Sequence, residues 1–409
     1  SLSEEPFIKR LTGGWLNWGK IRGSYGKSGQ TFTSAYLAHG LMNIMDKSFF
    51  GKTGITTDKP VSPYLTWEKT RQYDLGLDMD MFNYRLNVKL DYYYKYTSSL
   101  IYDIPIPGSL YAFGAQVENA MEISNEGLEL ELQADILRES AVSWRMKFNM
   151  ARNWNRFEKS YSGKDVVDGD GTLLVVGRPL NGLYVWAHRG YYNSDAEVPR
   201  LYKIDGQEIY FNGVATNGIS GAVGDYRLLD LDGDGNPDSY YAGSPLPLAH
   251  GGWVNELMWK NFDLNVLVNF TIGRKMINNR MGLGFSRQSE DGHLTKLFDY
   301  RKLRPWDGVN KKPNAPAWGN SLSMNTESAI EKVHHLALKQ ITLGYNLPDR
   351  ISKKAGLSGV RFFLTAENLF YLSNYSGGNP EVVNIYTGRD NGDTYPLPRK
   401  YTLGLTLNF

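Results

Sequence analysis

Cysteine is absent from all 409 residues, which excludes disulfides, thiolate catalysis and cysteine-based zinc sites. No apolar run approaches the length of about 18 residues that a membrane-spanning helix needs. Long basic blocks are also missing. The 45 Lys and Arg against 43 Asp and Glu leave a net charge of +2, so no nucleic-acid footprint is indicated. The opening Ser1-Leu2-Ser3-Glu4-Glu5 carries no signal-peptide pattern. Phosphate loops fail on spacing, because Asp46 and Ile21 stand where Gly51-Lys52-Thr53 and Gly26-Lys27-Ser28 would each need a glycine. The histidines at 39, 188, 250, 293, 334 and 335 form no metal-binding pair, and no Ser/His/Asp set stands out. An enzyme is therefore not expected.

Aromatics and glycine are plentiful. Aromatics reach 13%, with 27 Tyr and 10 Trp. Glycine contributes 43 residues, above its usual share of about 7%. That mixture excludes disorder, which needs few aromatics and high net charge.

Alternation is the strongest signal. Tyr73, Leu75, Leu77, Met79 and Met81 alternate with Asp74, Gly76, Asp78 and Asp80. After a two-residue turn at Phe82-Asn83, Leu86, Val88, Leu90, Tyr92 and Tyr94 alternate with polar residues. Leu128, Leu130 and Leu132 oppose Glu129 and Glu131, and Tyr401, Leu403, Leu405, Leu407 and Phe409 repeat the pattern. A period of two predicts strands buried on one face. Ten are expected, at 14–28, 67–81, 84–98, 121–136, 142–157, 248–259, 262–274, 333–347, 359–373 and 398–409. They are longer than the usual five or six residues, and their polar faces carry full charges. A soluble β-sandwich fits this less well than an all-β, transmembrane antiparallel β-barrel with a water-filled lumen. Lys89, Asp91, Glu129, Glu131, Arg145 and Lys147 would line that lumen. Short turns alternate with long connections at about 30–66, 99–120, 159–247, 275–332 and 374–397, as in outer-membrane barrels.

Several blocks are recognisable in order. They include Glu4-Glu5-Pro6-Phe7, Ile21-Arg22-Gly23-Ser24-Tyr25-Gly26, Asn125-Glu126-Gly127-Leu128-Glu129-Leu130, and Gly224-Asp225 followed by Asp230-Leu231-Asp232-Gly233-Asp234-Gly235. Leu338 to Pro348, Glu367-Asn368-Leu369-Phe370 and the closing Pro396 to Phe409 complete the set. Over nearly its whole length, 1–409, the chain resembles the C-terminal half of a SusC/RagA-like TonB-dependent outer-membrane transporter. The resemblance implies ten strands of a barrel of about 22, with the remaining strands and the plug domain elsewhere. It implies outer-membrane lipid as surroundings and TonB-driven import of oligosaccharides, or alternatively oligopeptides. A SusD-like surface lipoprotein would be the partner, and the TonB complex would act through the absent plug. A passive porin or adhesin barrel is the rival reading.

Two sets of residues could form sites. Asp230, Asp232, Asp234, Asn236 and Asp238 follow the spacing of a calcium loop, with Gly235 at the bend, so Ca2+ is expected there. Tyr241 replaces the closing bidentate Glu, and Pro237 the usual apolar residue, so affinity should be weak. Trp186, Tyr191, Tyr192, Tyr240, Trp306, Trp318 and Tyr375 lie in the long connections. Flat rings of this kind stack on sugars or peptide side chains, or pack loop against loop.

Overall fold

The structure, a computed structural model, describes residues 5, 10, 12–31, 42–57, 60–107, 114–167, 173–198, 200–202, 208–210, 223–229, 231, 239–279, 304–309, 312–317, 326–392 and 394–409. The chain divides into two compact units, Ser1–Leu180 with Gly251–Lys260, and Asn181–His250 with Asn261–Phe409.

In the first unit an antiparallel meander runs through β1 (Leu16–Gln30), β2 (Glu68–Met81), β3 (Leu86–Pro105), β4 (Ala115–Leu137) and β5 (Val142–Lys159), with β6 (Ala249–Trp259) beside β5. Its register joins the apolar sets. Ile21 lies opposite Leu77, Leu77 opposite Leu90, Leu90 opposite Leu130 and Leu130 opposite Met150. No described residue covers this face, and Leu75 is 57% exposed. An apolar face left open this widely requires lipid.

The other face binds its own charges. Arg22 bridges Asp78 at 2.7 Å and Asp91 at 2.8 Å. Lys89 reaches Glu131, Arg145 reaches Asp135 at 2.7 Å, and Lys147 reaches Glu256 at 2.7 Å. Gly76 leaves room where Arg22 crosses: a Cβ there would stand 2.6 Å from the Arg22 Cζ atom, and the guanidinium would have to shift.

The second unit repeats the design with β7 (Phe262–Asn278), β8 (Ile330–Asn346), β9 (Gly359–Ser373) and β10 (Lys400–Asn408). Val266 opposes Ile341, and Leu364 opposes Leu403, which is 81% exposed. One helical turn, Asp349–Ser352, fills the β8–β9 connection.

Five of the ten strands, β3, β4, β5, β7 and β8, run longer than the alternation predicts, whereas β2, β6 and β10 are slightly shorter. The expected 99–120 loop is mostly ladder, since β3 and β4 stay paired as far as Pro105 and Ala115. Alternation breaks at a bulge where Ser99 adopts φ 59°. There the Asn119 amide donates to the carbonyls of Ser99, at 2.6 Å, and Thr66, at 2.8 Å. A bulge shifts the side-chain period while the backbone remains extended. Tyr84, expected to open a strand, instead belongs to the turn, with Phe82, Asn83 and Tyr84 all at positive φ. The 30–66 connection contains the hairpin Met42–Phe49 and Lys52–Thr57. β7 continues past Gly273 (φ 73°) to Asn278, beyond the expected 274.

Candidate functional site

The connections of the second unit build a platform from short strand pairs. Leu183–Trp186 pairs with Ser239–Gly243. Alternation turns Leu183 and Val185 into a cluster with Ala242, Ile277 and Ala329, leaving Trp186 half-buried. Tyr240 packs against that cluster and donates its hydroxyl to Glu327 at 2.9 Å.

His188–Tyr191 pairs with Tyr226–Leu228. Tyr226, 2% exposed, sits between the His188 ring at 4.3 Å and the Tyr191 ring at 5.3 Å. Its hydroxyl shares a hydrogen bond with Ser328 at 2.8 Å, and Ser328 shares another with Thr326. Burial raises the Tyr191 and Tyr226 phenols. It also lowers His188 against the opposing pull of Glu327. Neither His188 ring nitrogen has a hydrogen-bond partner among the described residues.

Trp306 donates its indole N–H to Asn193 at 3.3 Å and lies over Gly224. A Cβ on Gly224 (φ 86°) would meet the indole at 2.6 Å and Ala317 at 2.4 Å, so the Gly224-Asp225 pair permits this approach. Tyr192 is buried, and its backbone bonds to Asp225 and Gly224.

The 374–397 connection anchors to β7 and β8. Tyr375 is buried with Met276, Val333 and Val383, and donates to Asp390 at 2.7 Å. The buried Arg274 guanidinium donates to the carbonyls of Pro380, Val383 and Asn384 at 3.2, 2.8 and 2.9 Å. Glu381 takes Lys339 at 3.1 Å and faces His335 at 3.7 Å. Lys339 sits at a bulge in β8, which aims it at the loop. A cavity of about 220 Å³ opens here, lined by Lys339, Asn368, Asn379, Glu381, Pro396 and Arg399 among others.

Of the ring residues singled out from sequence, Tyr192 and Tyr375 spend their rings on loop packing, which removes them from a ligand-facing surface. Trp186, Tyr191, Tyr240 and Trp306 stay half-buried. Trp318 and the acidic set Asp230, Asp232, Asp234, Asn236 and Asp238 lie outside the described residues. Among the described residues no cluster of three metal-ligating side chains occurs. Sequence reasoning missed Tyr226, Arg274 and Glu381. Glu381 lies in a single 3-10 turn, Tyr226 in a three-residue strand too short for a period to show, and Arg274 follows the register shift after Thr271.

Residues 7–242 match the family model described as TonB dependent receptor-like, beta-barrel. A TonB-dependent receptor of Formosa agariphila is 30% identical over 100% of this chain and 41% of its own length. The TonB-dependent receptor SusC of Bacteroides thetaiotaomicron is 26% identical over 100% of this chain and 39% of its own. The chain thus spans about two-fifths of the curated relatives it matches. Among solved structures, the RagAB peptide transporter superposes on 97% of the chain and 41% of its own with a TM-score of 0.75, at 24% identity.

Proposed function

Because the chain belongs to the TonB dependent receptor-like β-barrel family, whose proteins reside in the outer membrane, we propose that it forms part of the wall and outer loops of an active importer of oligosaccharides. The importer would be driven by the TonB complex through a plug domain and covered by a SusD-like surface lipoprotein. The observation that carries this is the pairing of an open apolar face with a charged face whose ions are already matched, in a chain of this family. No residue of the wall has a catalytic task. Half-buried Trp186, Tyr191, Tyr240 and Trp306 support a glycan, since flat rings suit sugar faces. The fold shared with a peptide transporter favours oligopeptides as the second reading. Calcium at Asp230, Asp232, Asp234, Asn236 and Asp238 belongs to the same proposal and rests on their spacing alone.

The test is uptake of labelled oligosaccharides and labelled oligopeptides by cells with and without the full-length gene, in the presence and absence of TonB. Loss of oligosaccharide accumulation in both deletions is expected. Loss of peptide accumulation alone selects the second reading, and unchanged accumulation of both refutes import. Metal analysis of the purified full-length protein should show calcium that the Asp232→Asn and Asp234→Asn pair removes.

A further inference from the structure

On the outward face of the first unit, successive cross-strand rows change character along the strands. The row Ile21, Leu77, Leu90, Leu130, Met150 is apolar throughout. Two rows further toward the long connections, the row Tyr25, Tyr73, Tyr94, Glu126, Trp154 is largely aromatic, with the Tyr25 and Tyr73 rings 4.8 Å apart. The next row on this face opens with Lys27 opposite Arg71, and Lys69 follows two residues along β2. All three are exposed. Among the described residues no carboxylate pairs with any of them. Lys27 only lies 6.0 Å over the Tyr25 ring. The opposite face behaves differently, because Arg22, Lys89, Arg145 and Lys147 each hold an acid there.

Aromatic rings at a membrane boundary mark where hydrocarbon ends and headgroups begin. Cations immediately beyond such a row, left without acids, meet whatever charge the headgroups carry. We propose that Lys27, Arg71 and Lys69 bind the phosphate of a phosphorylated lipid headgroup in the leaflet facing the long connections. This rests on the reading of the apolar face as a membrane surface. Directly opposed residues on antiparallel strands stand about 5 Å apart at Cβ, so Lys27 and Arg71 can bracket one phosphate while Lys69 reaches it from above. Arginine offers a forked donor pair suited to phosphate oxygens. The nearest outward acids are on β4 and already occupied. Glu126 accepts from Tyr92 at 3.0 Å, and Glu122 holds the Tyr96 hydroxyl and Lys159. They bound the site on one side and leave β1 and β2 as its cationic floor.

The experiment uses the full-length protein in bilayer nanodiscs containing a bisphosphorylated glycolipid, or the same lipid dephosphorylated. Lipid retained per protein is read by native mass spectrometry. Lys27→Gln, Lys69→Gln and Arg71→Gln together should lower retention of the phosphorylated lipid by about a hundredfold. Lys95→Gln, a cation of the opposite face lying over Tyr93, should leave it unchanged. The dephosphorylated lipid should bind all variants alike. Excess inorganic phosphate should not displace the lipid, and if it does, the site takes a soluble anion and the lipid assignment fails. Equal retention by the triple variant, or equal loss in Lys95→Gln, also overturns the proposal. Heat-modifiable migration confirms that each variant is a folded barrel. If the triple variant does not fold, Arg71→Gln alone is held to the same criterion. Absence of a folded wild-type band would instead sink the membrane-barrel reading itself.

Discussion

Glu381 ties the 374–397 connection to the wall with one carboxylate, and its acidity records the attachment. His335, and then Lys339, hold the carboxyl below its usual range. A depressed folded value gives stabilisation that is complete above the ordinary carboxylate range and lost as pH falls through the lowered value. Glu381→Gln should therefore release the loop at neutral pH, and hydrogen exchange of residues 379–384 should rise to what the wild type shows only in acid. His188 has the opposite charge but the same direction of pH dependence. Burial favours its neutral form and lowers it from 6.5. Stability of the 188–191 and 226–228 pair is then full above the unfolded value and declines as pH drops below it. Proteolysis of this pair should increase between pH 7.5 and pH 5.5, the window that the 6.5 reference defines, and His188→Gln should abolish the difference. Removing the hydroxyl with Tyr226→Phe should cost about 1 kcal/mol, since Ser328 keeps Thr326 as a partner. Thermal unfolding of the purified protein measures this.

At the scale of the strand, a side chain's worth depends on which face it occupies. Leu130→Arg and Val266→Arg place a guanidinium in hydrocarbon at about 2–4 kcal/mol near the midplane. Glu131→Arg breaks only the exposed 3.5 Å pair with Lys89 and leaves two cations side by side on the charged face, where water screens them at a cost of about 1 kcal/mol or less. The first two should reduce folded barrel in the membrane fraction and the third should not. Equal loss from all three would mean the faces are reversed. These faces were legible in the sequence because a period of two survives any register that pairs like with like. The Leu77, Leu90, Leu130 row confirms the sets read from alternation. Legibility ended where the backbone stayed extended but the period shifted. Ser99 hid the outer halves of β3 and β4, and Gly273 hid the last residues of β7. The candidate ring residues were legible as types, but not in their orientation. Tyr191 and Tyr375 look alike in sequence, and only long-range partners such as Tyr226 and Asp390 separate them.

At the scale of the molecule, edges decide assembly. β10 pairs with β9 from Gly359 opposite Asn408 to Glu367 opposite Lys400. A strand in lipid needs a neighbour on each side, at several kcal/mol for each unpaired group. Deleting Leu407 to Phe409 should abolish the heat-modifiable folded band of the full-length protein, whereas deleting Asp307 to Val309 should leave it. A folded band at normal abundance after the first deletion would rule out a structural role for the end of β10 in the wall. The matched ions Arg22, Arg145 and Lys147 on the charged face of the first unit have a further consequence. A surface whose charges are neutralised in place exerts little pull on anything passing it, and its field decays within a few ångströms as the opposite poles cancel. Such a lining is slippery. With the charges of Arg22, Arg145 and Lys147 cancelled in this way, this stretch of the face should scarcely change its behaviour with ionic strength.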